Sequence, residues 1–207
     1  MTDLFIIAVA SYLLGSIPFG FVLVRIFRGE DVRQSGSGNI GATNVSRKSP
    51  VLGLLTLLLD ALKGAAGVAL AHFVVSQRPS TFASEIGLSL AALFAVLGHL
   101  FPIWLKFRGG KGVATGLGSF VVIAPRAMFI TVIVFLVIVI VSRYVSLASI
   151  IAVVSFPPLV YWIHIPREAP IALGCMTSTS LLIIAKHHEN IRRLLAGTER
   201  RLGAKLA

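Results

Sequence analysis

The stretch Ile123-Ala124-Pro125-Arg126-Ala127-Met128 sits in the middle of an otherwise apolar run over residues 113–142. Read as one helix, that run would bury Arg126 near the centre of a bilayer and place Pro125, which has no amide hydrogen to donate, inside a helix. It would also leave both chain ends on the same side of the membrane. Broken at Pro125 and Arg126, the run becomes two spans, about 113–125 and 127–142, joined at a membrane surface. The first is short for a bilayer that takes ~20 helical residues to cross. Working outward, further apolar spans fall at about 4–27, 51–76, 85–105, 147–163 and 169–186. The expected fold class is all-α: a polytopic transmembrane helical bundle of seven spans, forming a single integral membrane domain over residues 1–207. Apolar residues make up 56% of the chain and charged residues 13%, a balance that excludes an ordinary water-soluble domain.

The break also decides how charge is distributed. With seven spans and the N-terminus outside, Arg25, Arg28, Arg33, Arg47, Lys48, Lys106, Arg108, Lys111, Arg143 and the basic tail all fall on the cytoplasmic side. Arg78, Arg126 and Arg167 remain outside, which is the asymmetry that cytoplasmic retention of Lys and Arg predicts. The formal charge of +11 is therefore read as topogenic, and a nucleic-acid partner is not expected, since no basic helix face or aromatic-basic module accompanies it. The span at 4–27 lacks a small-residue cleavage pattern after a basic start and reads as a retained anchor. Cys175, the sole cysteine, lies in an apolar span without an internal partner, and no metal-ligand spacing is present. No internal repeat suggests a transporter built from duplicated halves.

Three segments depart from the apolar pattern, and on this topology all lie at the cytoplasmic surface. The first, residues 35–47, combines Gly36, Gly38 and Gly41 with Ser37, Asn39, Thr43 and Asn44 and ends in Arg47. Glycine allows positive φ and close approach, so successive amides can converge on phosphate oxygens while the side chains add donors. A flexible interhelical loop is the alternative. The second, Lys106-Phe107-Arg108-Gly109-Gly110-Lys111-Gly112, opens the short fourth helix, where amides and the positive dipole end suit an anion. It does not match G-x-x-x-x-G-K-[ST], so a nucleotide P-loop is not supported, and a basic topogenic loop is the alternative. The third, residues 187–199, follows the last span and puts His187 and Asn190 on a common helix face. A basic tail lying on anionic lipid is its alternative.

Asp60 and Lys63 lie one helical turn apart within the second span, where isolated charges are costly. Either they pair with each other for packing, or Lys63 reaches a substrate phosphate. His72, His99 and His164 lie near span ends without matching partners and receive no role.

At these residues the chain resembles the acyl-phosphate-dependent glycerol-3-phosphate acyltransferase family. The resemblance is carried by Gly36-Ser37-Gly38-Asn39 through Arg47, by Gly109-Gly110-Lys111-Gly112-Val113-Ala114, and by His187-x-x-Asn190-Ile191-Arg192-Arg193-Leu194, in that order. Further matches are Gly15-Ser16-Ile17-Pro18-Phe19-Gly20, Leu59-Asp60 with Lys63-Gly64, Gly98-His99 with Pro102, and Arg143-Tyr144-Val145-Ser146-Leu147-Ala148-Ser149. One departure is Lys48-Ser49-Pro50, where a glycine-containing stretch is expected.

The resemblance implies transfer of an acyl group from acyl phosphate to the 1-hydroxyl of glycerol 3-phosphate, giving lysophosphatidic acid and phosphate. It implies no coenzyme A, acyl carrier protein, cofactor or metal. It also implies a bacterial inner-membrane location, an active site facing the cytoplasm, membrane lipid as surroundings, and a monomer. Ser37, Arg47, Lys111, His187 and Asn190 are the expected catalytic residues. Gly38, Asn39, Thr43, Asn44, Lys63, Gly110, Gly112, Ser146 and Arg193 are expected to bind substrate, with Asp60 and Glu199 structural. Whether His187 or the leaving phosphate takes the hydroxyl proton stays open.

None of the five histidines has an aspartate five positions downstream, so the H-x-x-x-x-D dyad of other acyltransferases is absent, as is a Gly-x-Ser-x-Gly elbow with Asp and His in lipase order. The rival readings are a small anion transporter with re-entrant glycine loops and a scaffold whose basic loops recruit acidic lipid.

Overall fold

The computed structural model describes residues 2–77, 81–163 and 170–203, so Arg78, His164 and Arg167 lie outside the described residues. All the described regular structure is helical. The first span is broken into α1 (Thr2–Ser16) and α2 (Phe19–Arg28) at Pro18, where the missing amide hydrogen interrupts the ladder. Helix α2 stops at Gly29, whose φ of 67° suits glycine and whose amide donates to the Arg25 carbonyl. A short helix α3 (Ala42–Val45) precedes α4 (Pro50–Ser76). The stretch Lys48-Ser49-Pro50 is the start signal of α4: the Ser49 hydroxyl accepts from the Leu52 amide, and Pro50 occupies the first turn, where no amide is needed.

Helix α5 (Thr81–Leu100) is followed by a 3-10 turn, Ile103–Leu105, and the run at 113–142 divides into α6 (Val113–Ile123) and α7 (Pro125–Ser142). The break thus falls at Ala124 and Pro125, with Pro125 opening α7. Next come α8 (Val145–Ile163), α9 (Pro170–Ala185) and the amphipathic α10 (His188–Leu195). Among the described residues, five stretches are long and apolar enough to cross a membrane: 2–28, 50–76, 84–105, 125–142 and 145–163. Apolar helices α6 and α9, of 11 and 16 residues, are shorter than a span requires, so five of the seven expected spans reach crossing length among the described residues and two do not.

Helices in lipid gain little from burying apolar surface, so close approach has to come from small residues. Helix α1 packs on α5 with Gly15 against the Ala95 carbonyl and Gly98 against the Tyr12 carbonyl. Helices α4 and α6 repeat the device, with Gly64 against the Thr115 carbonyl and Gly118 against the Ala61 carbonyl. At each of the four a Cβ would collide with backbone. Between these pairs lies a core of Val68, Ala71, Ala91, Phe120 and Phe156, the two rings stacked 4.4 Å apart. Phe5, Phe129, Val141 and Trp162 point outward, as the surface of a membrane protein requires.

Candidate active site

The 35–47 segment is organised by Asn44, which is buried. Its Nδ2 donates toward the carbonyls of Val32, Ser35 and Asn39 at 2.9–3.1 Å, while its Oδ1 accepts from the Ser37 amide at 2.9 Å and from Arg47 Nη1 at 3.4 Å. Gly36 and Gly38 take positive φ (63° and 67°), and a Cβ on Gly36 would collide with Asn44 Oδ1. Asn44 is therefore spent on shaping the cradle, which leaves Ser37 and Gly38 exposed at its lip. Asn39 Oδ1 caps the Gly41 amide at 2.9 Å, and Thr43 points to solvent. Burial lowers the ionisation of Arg47 below its ordinary value, and Arg200 pushes in the same direction.

The glycine-rich turn doubles back on the end of α5. The Phe107 amide donates to the Pro102 carbonyl at 3.0 Å, Gly109 to Leu100 at 3.2 Å and Gly110 to His99 at 3.0 Å. Lys106 and Phe107 both have positive φ, a strained conformation for residues with side chains. The turn delivers Lys111 to Asn190, whose Oδ1 accepts from the Lys111 ammonium. Burial brings Lys111 down to about 8, against an opposing pull from Glu199.

The third segment closes around Glu199. Its Oε1 accepts from Ser146 Oγ and Asn190 Nδ2, each at 2.7 Å, and its Oε2 from Arg193 Nε at 2.7 Å. Burial alone would raise this carboxyl, but the hydrogen bonds from Ser146, Arg193 and Asn190 hold it below its ordinary value. The Ser146 hydroxyl is thus committed to Glu199. His187 is buried, and its Nδ1 lies 2.8 Å from the Ile183 carbonyl. A carbonyl only accepts, so Nδ1 carries the hydrogen and Nε2 is the basic nitrogen. Burial lowers His187 to about 4, so the ring is neutral at ordinary pH.

These pieces meet at a polar cavity of about 180 Å³ lined by Ser37, Gly38, Asn39, Gly109, Lys111, Lys186, His188, Glu189 and Arg193. All three segments singled out in the sequence contribute to it. Asn190 joins the cavity to Glu199 through Lys111, and Arg47 braces the cradle through Asn44. Gly110 and Gly112 are buried behind the wall, where Gly110 abuts the His99 ring. Lys63 is not at the cavity: its Nζ is 2.8 Å from Asp60 Oδ1, and the two side chains are 2% and 3% exposed. The two form the mutual ion pair that was one of the two sequence readings. No group of three or more potential metal ligands occurs among the described residues.

The glycerol-3-phosphate acyltransferase family model matches residues 5–197. A glycerol-3-phosphate acyltransferase of Syntrophotalea carbinolica is 45% identical over 205 residues, covering 99% of this chain and 100% of its own length. One from Ehrlichia canis is 45% identical over 196 residues, covering 95% of this chain and 97% of its own. The chain belongs to the glycerol-3-phosphate acyltransferase family. Two solved structures share the fold, both of PlsY (YgiH), an integral membrane glycerol 3-phosphate acyltransferase. The glycerol 3-phosphate form has a TM-score of 0.86 at 40% identity, covering 98% of this chain and 96% of that one. The lysophosphatidic acid form has a TM-score of 0.83 at 38% identity over the same shares. The chain is accordingly a multi-pass integral membrane protein of this acyltransferase family.

Sequence reasoning did not select Lys186, His188, Glu189 or Gly109 as site residues. All four flank chosen positions, and Arg193 lies one turn beyond Glu189, whose carboxylate it meets at 3.7 Å. An apolar groove of about 520 Å³ lies between α8 and α9, bordered by Val153, Pro157, Trp162, Leu173, Leu181 and Ile184, a place that was not read from the sequence. Ile184 on its border precedes by four residues His188, which lines the polar cavity.

Proposed function

We propose that this protein transfers an acyl group from acyl phosphate to the 1-hydroxyl of glycerol 3-phosphate, releasing lysophosphatidic acid and phosphate without coenzyme A or acyl carrier protein. The observation that carries the reading is the convergence of three separate, donor-rich segments on one small polar cavity, in a bundle that also holds an apolar groove between α8 and α9. Two phosphate head groups need anion sites, and an acyl tail needs a dry channel. In this mechanism Ser37, Gly38, Asn39 and the adjacent amides hold one phosphate. Lys111 and Arg193 face the other, with Arg47 behind the cradle, and the groove between α8 and α9 receives the acyl chain.

The mixed anhydride already carries a good leaving group, so positioning and neutralisation of charge supply much of the rate. The glycerol hydroxyl attacks the acyl carbonyl, the carbonyl–phosphate bond breaks, and phosphate departs. The hydroxyl proton goes to His187 Nε2 or to the departing phosphate, and Asn190 keeps Lys111 in place. Relatives named as glycerol-3-phosphate acyltransferases, and PlsY structures in glycerol 3-phosphate and lysophosphatidic acid forms, support the acceptor and product. The basic loops support seven spans, N-terminus out and C-terminus in, with a site that faces the cytoplasm.

The test is purified protein in detergent, palmitoyl phosphate and glycerol 3-phosphate, with phosphate release and lysophosphatidic acid measured together. Wild type should form both products in equal amounts, and Ser37→Ala, Lys111→Ala and His187→Ala should lose activity while remaining folded. Folded wild type that makes no product from several acyl phosphates would overturn the reading and leave anion transport in front, since detergent offers no compartments for transport.

A further inference from the structure

Inside the bundle, the Asp60 carboxylate on α4 faces the Lys63 ammonium, with Nζ at 2.8 Å, and the imidazole of His99 on α5, with Nδ1 at 3.6 Å. All three side chains are at most 3% exposed. A buried ion pair can often be replaced by apolar residues without loss of stability, so stability is a weak reason for building this cluster. Its outward connections give a better one. On one side, Lys63 Nζ donates to the Ile17 carbonyl at 2.7 Å, in the break between α1 and α2. On the other, the His99 ring abuts Gly110 so closely that a Cβ there would fall on Nε2. The His99 carbonyl accepts the Gly110 amide, and the Leu100 carbonyl accepts the Gly109 amide. The next residue is Lys111, bonded to Asn190 at the cavity.

We propose that Asp60 and His99 are positioning residues for Lys111: the cluster of Asp60, Lys63 and His99 holds the imidazole as a floor beneath Gly110 and so sets the turn that carries Lys111 to the cavity. Asp60 fixes the ring, Lys63 fixes Asp60 and ties it to the α1/α2 break, and Gly110 is glycine because the ring occupies the place of a side chain. None of the three lines the polar cavity. What Lys111 binds rests on the phosphate-site reading above; how it is held does not.

Hydrogen exchange in detergent tests this without requiring turnover. Peptides covering 106–112 are compared with those covering 35–47 and 187–199 in wild type, in His99→Leu, and in the charge-neutral double variant Asp60→Leu with Lys63→Met. The expected result is exchange about tenfold faster or more in 106–112 in both variants, with the other two segments unchanged. A parallel fall in kcat/KM is expected, with wild-type activity as the reference. Should His99→Leu fail to fold, the double variant, which leaves no unpaired charge, carries the test alone. Unchanged protection of 106–112, or loosening of all three segments together, overturns the proposal, because a packing role moves either nothing local or everything. Selective loosening in a protein whose wild type makes no product would leave the positioning role standing and remove the acyltransferase reading instead.

Discussion

Lys111 is the residue on which most of the site's chemistry turns. Burial brings it to about 8, so its positive charge is full below that value and is lost as pH rises through it. A pH profile of kcat/KM should therefore fall on the basic side near that value, and Lys111→Arg, whose guanidinium stays charged, should remove this limb. His187 behaves oppositely. Its folded-state value of about 4 lies below the ordinary 6.5, so the unfolded chain takes up the proton first. The stability this contributes is present above the ordinary value and is lost as pH falls toward about 4. Thermal unfolding across that window should show a decline that His187→Gln lessens. At Asn190, removal of the amide takes away the acceptor for Lys111 and one of the two donors to Glu199 Oε1, and Asn190→Ala should lower kcat on the order of 100-fold in the acyl-phosphate assay.

At the scale of elements, the glycines between helices set how closely the spans approach. Gly118 on α6 rests on the Ala61 carbonyl of α4, so Gly118→Val forces backbone apart and should destabilise by about 3 kcal/mol, read as a lower unfolding temperature in detergent. Gly174 on α9 has open space around it, and Gly174→Ala should be neutral or stabilise by up to about 1 kcal/mol in the same measurement. The contrast matters because both are helical glycines in apolar surroundings, alike in composition and local pattern. What separates them is the helix lying opposite. The break at Pro125 was legible for the opposite reason: a missing amide hydrogen and a charged neighbour act within their own segment.

At the scale of the molecule, the proposed orientation is open to direct labelling. On a Cys175→Ser background, Arg126→Cys should react with an impermeant thiol reagent from outside intact cells, and Arg108→Cys only after the membrane is opened. Reversal of that order would invert the topology and move the polar cavity to the other face. The apolar segments, the break at Pro125 and the three donor-rich segments could be read from the chain, because apolar runs, proline and glycine work over a few neighbours; the break at Pro18 inside the first span was not read. The division of labour inside the site could not. Asn44 turned inward to shape the cradle, Ser146 is committed to Glu199, and His188, rather than its buried neighbour His187, lines the cavity. His99, which carried no role in the sequence, stands beside Asp60 from a different helix. Which of two adjacent side chains meets a cavity depends on how each helix is rotated against partners far away in the chain, and that rotation is set by packing, to which local patterns are blind.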